Sequence, residues 1–312
     1  MNNKEKNFVS AVIYVHNAQD RVEAFLKTII RTLEDNFEHS EIICVNDNSS
    51  DESINVIKNA SCLAQSTSVS VVNMSYYHGL ECAMNAGVDL SIGDFVFEFD
   101  NTFLDFTTED IMNIYKRALT GFDIVSASPD KKEKFTSKLF YKVFDRFTNL
   151  SYKMRTESFR ILSRRVINRI DSMNKMVLYR KAIYMTQGLK VDNIIYKSSA
   201  GVEEKIDKLE KKYRTDLAID SLILFTELGY RFSVSMTVIM MIMSIFMIVY
   251  SIVIYATSHP VEGWTTTIMF LSVAFLGLFG ILTIIIKYLQ ILVNLVFKRK
   301  HYSFEGIEKL TK

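Results

Sequence analysis

The chain has 312 residues, too many for a single small domain and enough for one α/β domain with further elements beside it. Its 37 Lys and Arg nearly balance 35 Asp and Glu, so net charge lends nothing to a nucleic-acid partner. The composition is 49% hydrophobic, but the apolar residues gather in two long uncharged runs in the last third.

Polar Met1–Asn7 runs directly into a strand pattern with no signal peptide ahead of it, so the domain is expected in the cytosol. Phe8–Val15 reads as a buried strand and Asp20–Leu33 as an amphipathic helix. Strand Glu41–Val45, helix Asp51–Ala60 and strand Thr67–Met74 follow. A helix from Gly79 to Leu90, strand Asp94–Phe99, helix Thr108–Leu119 and strand Phe122–Ser126 complete the pattern, with Thr107 as a helix cap. This alternation predicts a mainly parallel sheet with helices on both faces. The three cysteines, Cys44, Cys62 and Cys82, form no C-x-x-C pair. Cys44 and Cys82 lie in apolar patterns, so core positions are expected rather than a disulfide framework.

The segment Glu203–Leu228 is charged at first and then apolar. It suits an amphipathic helix at a membrane interface, and equally an ordinary packed helix. After Arg231 no charged residue appears before Glu262. Phe232–Thr257 and Trp264–Ile286 each exceed the roughly 20 residues that cross a bilayer. The turn Ser258–Gly263 carries no Lys or Arg, while Arg231 precedes the runs and Lys298, Arg299 and Lys300 follow them. A two-span hairpin with both ends in the cytoplasm is therefore expected. Trp264 suits the far interface, and Lys287 the near one by snorkelling. The expected division is a cytosolic domain over 1–200, interfacial helices over 201–231, the hairpin with an interfacial extension over 232–297, and a basic tail over 298–312.

In a parallel sheet, ligands bind at the carboxyl ends of strands. The first strand runs into His16, Asn17 and Asp20, the second into Asn46, Asp47, Asn48 and Asp51, the fourth into Glu98 and Asp100. Such carboxylates suit a base N–H, a ribose hydroxyl or a divalent cation on a diphosphate. Helix capping by Asp51 and a turn at Asn48–Ser49 explain the same residues without a ligand. The absence of G-x-G-x-x-G and G-x-x-x-x-G-K-[ST] argues against a dinucleotide oxidoreductase and a P-loop ATPase.

Five stretches together resemble glycosyltransferase family 2, with its GT-A fold, and more narrowly its polyprenyl-phosphate glycosyltransferases. They are V-I-Y-V-H-N-A-Q-D (Val12–Asp20), V-N-D-N-S-S-D (Val45–Asp51), H-G-L-E-C-A-M-N-A-G (His78–Gly87), G-D-F-V-F-E-F-D (Gly93–Asp100) and E-S-F-R-I-L-S-R-R (Glu157–Arg165). The resemblance implies a membrane-bound enzyme moving a sugar from a nucleotide-sugar, UDP favoured, to a lipid acceptor such as polyprenyl phosphate, with inversion. It implies Asp47 on the base, with Asn17, Asp20 and Asn48 beside the donor, and Asp100 as a ligand of Mg2+ or Mn2+. It implies Glu157 near the acceptor and Arg160 on phosphate. Lys131, Lys132, Lys134, Lys138 and Lys197 suit an acceptor phosphate, or simply a solvated basic loop. The family's D-x-D reads D-N-T here, with Thr102 at the second carboxylate. Glu98 shares a strand face with Asp100 and either replaces that ligand or faces the core. A degenerate scaffold subunit is the alternative reading, and a homo-oligomer is left open.

Overall fold

Strand β1 (Val9–Val15) is buried at every position, as a strand covered on both faces must be. Val9, Ala11, Ile13 and Val15 enter one core, and Val12 and Tyr14 the other, following the two-residue period of a strand. The structure is a computed structural model that describes residues 4–131, 135–147, 155–172, 179–186, 188–198, 208–225, 304–311 and separate helical positions between 235 and 292.

Strands β2 (Ser40–Asn46), β3 (Ser68–Met74) and β4 (Phe95–Phe99) join β1 in parallel. Helices α1 (Val22–Asn36), α2 (Ser53–Ser61) and α4 (Thr108–Leu119) cover one face of the sheet, α3 (Leu80–Leu90) the other. These are the elements that the alternation predicts, displaced by up to three residues at their ends. Phe25, Phe99, Phe106 and Phe159 pack ring to ring in the first core, each fully buried ring contributing about 1.5–3 kcal/mol. Thr107 caps α4 in a capping box, with its N–H donating to Asp110 Oδ2 at 2.8 Å. A Cβ on Gly87 would lie 2.4 Å from Val12 and 2.6 Å from Val45, so its bare backbone lets α3 approach β1 and β2 closely.

Glu34 closes the loop before β3, accepting from the N–H groups of Gln65 and Ser66 at 2.7 Å each and of Thr67 at 3.1 Å. Burial is the largest single influence and raises the carboxyl, but these donors together outweigh it and hold it below its ordinary value. A depressed folded value means the contribution is present above the ordinary Glu pKa of about 4.3 and fades as pH falls through the lower folded value. Glu34→Gln is therefore expected to flatten the acid limb of a stability–pH curve, as measured by urea melts between neutral pH and the Glu range.

Beyond β4 the chain runs β5 (Ile124–Pro129), α5 (Phe135–Phe147), β6 (Phe159–Ser163), α6 (Arg164–Ser172), α7 (Arg180–Thr186), β7 (Val191–Tyr196) and α8 (Lys208–Phe225). With β8 (Phe304–Lys309) the sheet order is β7-β5-β6-β4-β1-β2-β3-β8. The sheet is mixed, because β6 runs antiparallel between β4 and β5, and β8 antiparallel beside β3.

The residues form two compact units, one of 1–145, 149–217 and 299–312, the other of 146–148 and 218–298. The residues read as a basic tail thus include a sheet strand, tied to α2 by Lys58 and Glu308 at 2.7 Å. Polarity changes along α8, charged at its start and apolar toward its end, rather than around it. In the second unit, Ile239, Ile242, Phe246, Leu271, Leu278, Leu282, Ile285, Leu289 and Leu292 sit at helical positions and are each 46–64% exposed. Among the described residues no helix is long and apolar enough to cross a membrane. Most of the two apolar runs, with Trp264 and Lys287, lies outside the described residues.

Candidate active site

Three adjacent parallel strands, β4, β1 and β2, deliver Asp100, His16–Asn17 and Asp47 to one edge of the sheet. The chain steps from β1 outward to β2 and β3, then returns to the far side of β1 as β4. The carboxyl end of that reversal is where open α/β sheets bind ligands.

Asp47 is fully buried. Its Oδ1 accepts from His78 N at 2.8 Å, and its Oδ2 from Gly79 N at 2.8 Å and Tyr14 Oη at 3.1 Å. Burial pushes this carboxyl up, against the pull of those donors. Asp47 therefore shapes the loop that carries Tyr76, Tyr77 and His78, and both of its oxygens are engaged. Burial also pushes the Tyr77 hydroxyl up, to about 12. Tyr76 stacks on His78 with centroids 3.9 Å apart, and His16 meets Tyr77 at 4.9 Å. His16 Nδ1 lies 2.7 Å from the Asp47 carbonyl, which can only accept, so that nitrogen carries the proton.

Gly79 holds a φ of +83° at the turn into α3, and a Cβ there would lie 2.3 Å from the Tyr213 ring. Gly79→Ala is expected to cost about 1–3 kcal/mol through strain and overpacking. Thermal melts of the variant read this directly.

Asn17 and Asn48 are exposed and both have positive φ, 45° and 54°. Asn17 Oδ1 accepts from Ser50 N at 2.9 Å, pinning the β1 loop to the β2 loop. Asp20 is exposed. Asp51 accepts from Ser53 N at 3.1 Å and Gln19 N at 3.0 Å, so local bonds at the entry to α2 account for it, while the N-cap position itself is Glu52.

At the end of β4 lies a buried ion cluster. Arg160 on β6 donates to Asp100 Oδ2 at 2.5 Å, and Arg180 at the start of α7 to Asp100 Oδ1 at 2.6 Å. Both guanidiniums also pair with Glu98, at 3.3 Å and 2.8 Å, and Arg180 Nε donates to Glu81 at 2.8 Å. Glu98 is fully buried and accepts from Tyr184 Oη at 2.9 Å. It shares the face of Asp100, as the strand period implies. Glu157 sits 3.4 Å from both Arg160 and Lys181. Four carboxylates thus meet three cations. Burial alone would raise the Asp100 carboxyl, but Arg160 and Arg180 outweigh it and hold it below the usual carboxylate range.

The sequence reading missed Glu81, Arg180, Lys181 and Tyr184. Glu81 lies inside a stretch quoted for the resemblance, but Arg180 is marked only as a charge within the apolar pattern L-Y-R-K-A-I-Y. Of the acceptor candidates, Lys131 is exposed and 3.6 Å from Asp105, and Lys138 and Lys197 are exposed. Lys132 and Lys134 lie outside the described residues.

The residues do not fit a divalent ion in this arrangement. Both Asp100 oxygens are held by guanidiniums, and Thr102, buried, brings no charge. Among the described residues no three His, Cys, Asp or Glu side chains converge as an ion cage.

The fold and this strand-end site define a glycosyltransferase domain of the GT-A type. The chain belongs to glycosyl transferase family 2, whose model matches residues 10–185, more than half of its length. It is 28% identical over 194 residues to an uncharacterized glycosyltransferase of Synechocystis sp., covering 60% of each chain. It is 26% identical to a bactoprenol glucosyl transferase of Shigella phage SfX, covering 86% of this chain and 88% of that one. An undecaprenyl-phosphate 4-deoxy-4-formamido-L-arabinose transferase of Aeromonas hydrophila matches at 28% over 48% of this chain and 47% of its own. Among solved structures, a Mycobacterium tuberculosis glucosyl-3-phosphoglycerate synthase in complex with Mn2+, UDP-glucose and phosphoglyceric acid superposes with a TM-score of 0.53. It is 14% identical and covers 70% of this chain and 79% of its own.

Proposed function

We propose that the protein transfers a sugar from a nucleotide-sugar, with UDP favoured, to a polyprenyl phosphate at a membrane surface, with inversion. The observation that carries the donor site is the delivery of Asp47, Asn17 and Asp100 by three adjacent parallel strands at the sheet's topological reversal. The names of the bactoprenol and undecaprenyl-phosphate relatives support the acceptor. The UDP-glucose in the structural neighbour supports the nucleotide.

In this reading an acceptor phosphate oxygen attacks the anomeric carbon. The bond from that carbon to the diphosphate breaks, and the nucleoside diphosphate leaves with the electron pair. An ionised phosphate needs little base catalysis, so the site works by positioning and by stabilising the leaving group. The loops after β1 and β2 and the aromatic loop 76–78 hold the nucleoside. Glu157 and Arg160 border the acceptor side, with Lys131, Lys132, Lys134, Lys138 and Lys197 as candidate partners of its phosphate.

The membrane reading draws on two further observations. The segment 218–298 leaves the first unit through α8 and returns to it as β8, so any number of bilayer crossings must be even. The exposed Ile, Leu and Phe positions of the second unit suit lipid. A two-span hairpin satisfies both, with the catalytic domain and both termini in the cytoplasm. Carbonate-resistant membrane association, with Cys62 labelled only after the cytoplasmic face is opened, is the expected topology result.

The transfer test offers labelled UDP- and GDP-sugars to the detergent-solubilised protein with polyprenyl phosphate or 3-phosphoglycerate. Label in the organic phase supports the reading; label only on phosphoglycerate overturns the acceptor. Thr102 and the engaged Asp100 favour a second reading, a degenerate binding subunit. Metal-dependent transfer that appears only in Thr102→Asp would establish that alternative.

A further inference from the structure

The following rests on the donor-site reading above. We propose that donor binding at the end of β4 needs no divalent cation, because Arg160 and Arg180 hold the place on Asp100 that an ion would take. Each Asp100 oxygen accepts from a different guanidinium, at 2.5 Å and 2.6 Å. Arg180 is fully buried and is fixed at its other end, where both its backbone N–H and its Nε donate to Glu81 Oε2, at 3.0 Å and 2.8 Å. Swinging it out would take from Glu81 its guanidinium partner and from Glu98 one of two, which is costly in a low-dielectric interior.

An entering dication would have to push between two cations while gaining a single carboxylate. At the position two residues on, where a second anionic ligand would help it, Thr102 offers only a buried neutral hydroxyl. The guanidiniums already neutralise the Glu98–Asp100 pair, and they are held in place before the donor arrives. A diphosphate can therefore approach the strand end without an ion to mask bare carboxylates. The Asn101–Thr102 pair then represents a change of counter-cation, from a bound ion to two side chains, rather than loss of the site.

The test uses the full chain in detergent. Mn2+ uptake is followed by the loss of the free-ion paramagnetic resonance signal, and UDP and GDP affinities are measured in EDTA and in Mn2+. The expected result is no Mn2+ uptake without nucleotide and an affinity in EDTA within about threefold of that in Mn2+. A drop of about tenfold or more on chelation overturns the proposal and leaves the donor site standing. Absence of binding by either nucleotide in both media overturns both.

Arg180→Met frees Asp100 Oδ1 and removes one of the two cations, so this variant is expected to take up Mn2+ and to bind nucleotide in a Mn2+-dependent way. Arg180→Lys keeps the charge and is expected to remain indifferent to EDTA. If Arg180 were only structural, Arg180→Met would weaken binding equally in both media with no Mn2+ uptake. Should Arg180→Met fail to fold, the comparison of the unsubstituted protein in EDTA and Mn2+ decides alone.

Discussion

Replacing Arg180 with Met is expected to lower the unfolding free energy by about 3–5 kcal/mol, among the largest effects of any single substitution outside the apolar core. The guanidinium pairs with Glu81, Glu98 and Asp100 at 2.6–2.8 Å and is fully buried. Methionine fills much of the volume but takes from Glu98 and Asp100 one of their two guanidiniums, and from Glu81 the guanidinium it pairs with. The charged form of Asp100 then loses one of the guanidiniums that hold its carboxyl low, and that group must take up a proton or draw in water. The loss should therefore be greatest at neutral pH and smaller as pH falls into the carboxylate range. Thermal melts by circular dichroism across that range separate this from simple loss of packing, which would be independent of pH.

Asp47→Asn is expected to cost about 3 kcal/mol and to abolish nucleotide binding. The carboxylate accepts from two backbone N–H groups and one hydroxyl. An amide has one oxygen and one N–H2, so at least one N–H of His78 or Gly79 would face another donor. A hydrogen bond to a charged group is worth about 1.5–3 kcal/mol, and leaving its buried donor unsatisfied adds to that. The consequence for function passes through the loop rather than through direct contact. Tyr76, Tyr77 and His78 take their positions from these bonds, so an unbound Asp47 side chain displaces the aromatic surface beside the β1 and β2 ends. Melting temperature and nucleotide affinity, measured on the same preparation, should fall together.

Much of the half of the sheet built from β1 to β4 was legible. The unbroken apolar run of β1, the helical period of α1 and the Thr107 cap are local signals, and each appears in the structure within about three residues. The strand-end positions of Asp47 and Asp100 followed from the same alternation. The rest depends on contacts distant in sequence. Nothing local says that β6 inserts antiparallel between β4 and β5, or that β8 returns after the apolar segment to pair with β3. Asp47 and Asp51 are both polar residues after a strand, and only the packed loops distinguish the buried bracket from the local bonds at the entry to α2. Arg180 is 80 residues from Asp100. Its role emerges only once α7 is laid against β4 and β6, so the D-N-T stretch looked like a loss when read without its cationic partner.

In the proposed function a nucleotide-sugar donor lies at the carboxyl ends of β4, β1 and β2. Photolabelling with azido analogues of UDP-glucose and of a GDP-sugar, followed by peptide mapping, tests it most directly. The predicted result is labelling by one of them within residues 16–20, 46–51 or 75–79, competed by the matching unlabelled nucleotide and lost in Asp47→Asn. Labelling confined to other segments, or not competed by either nucleotide, would contradict the assignment.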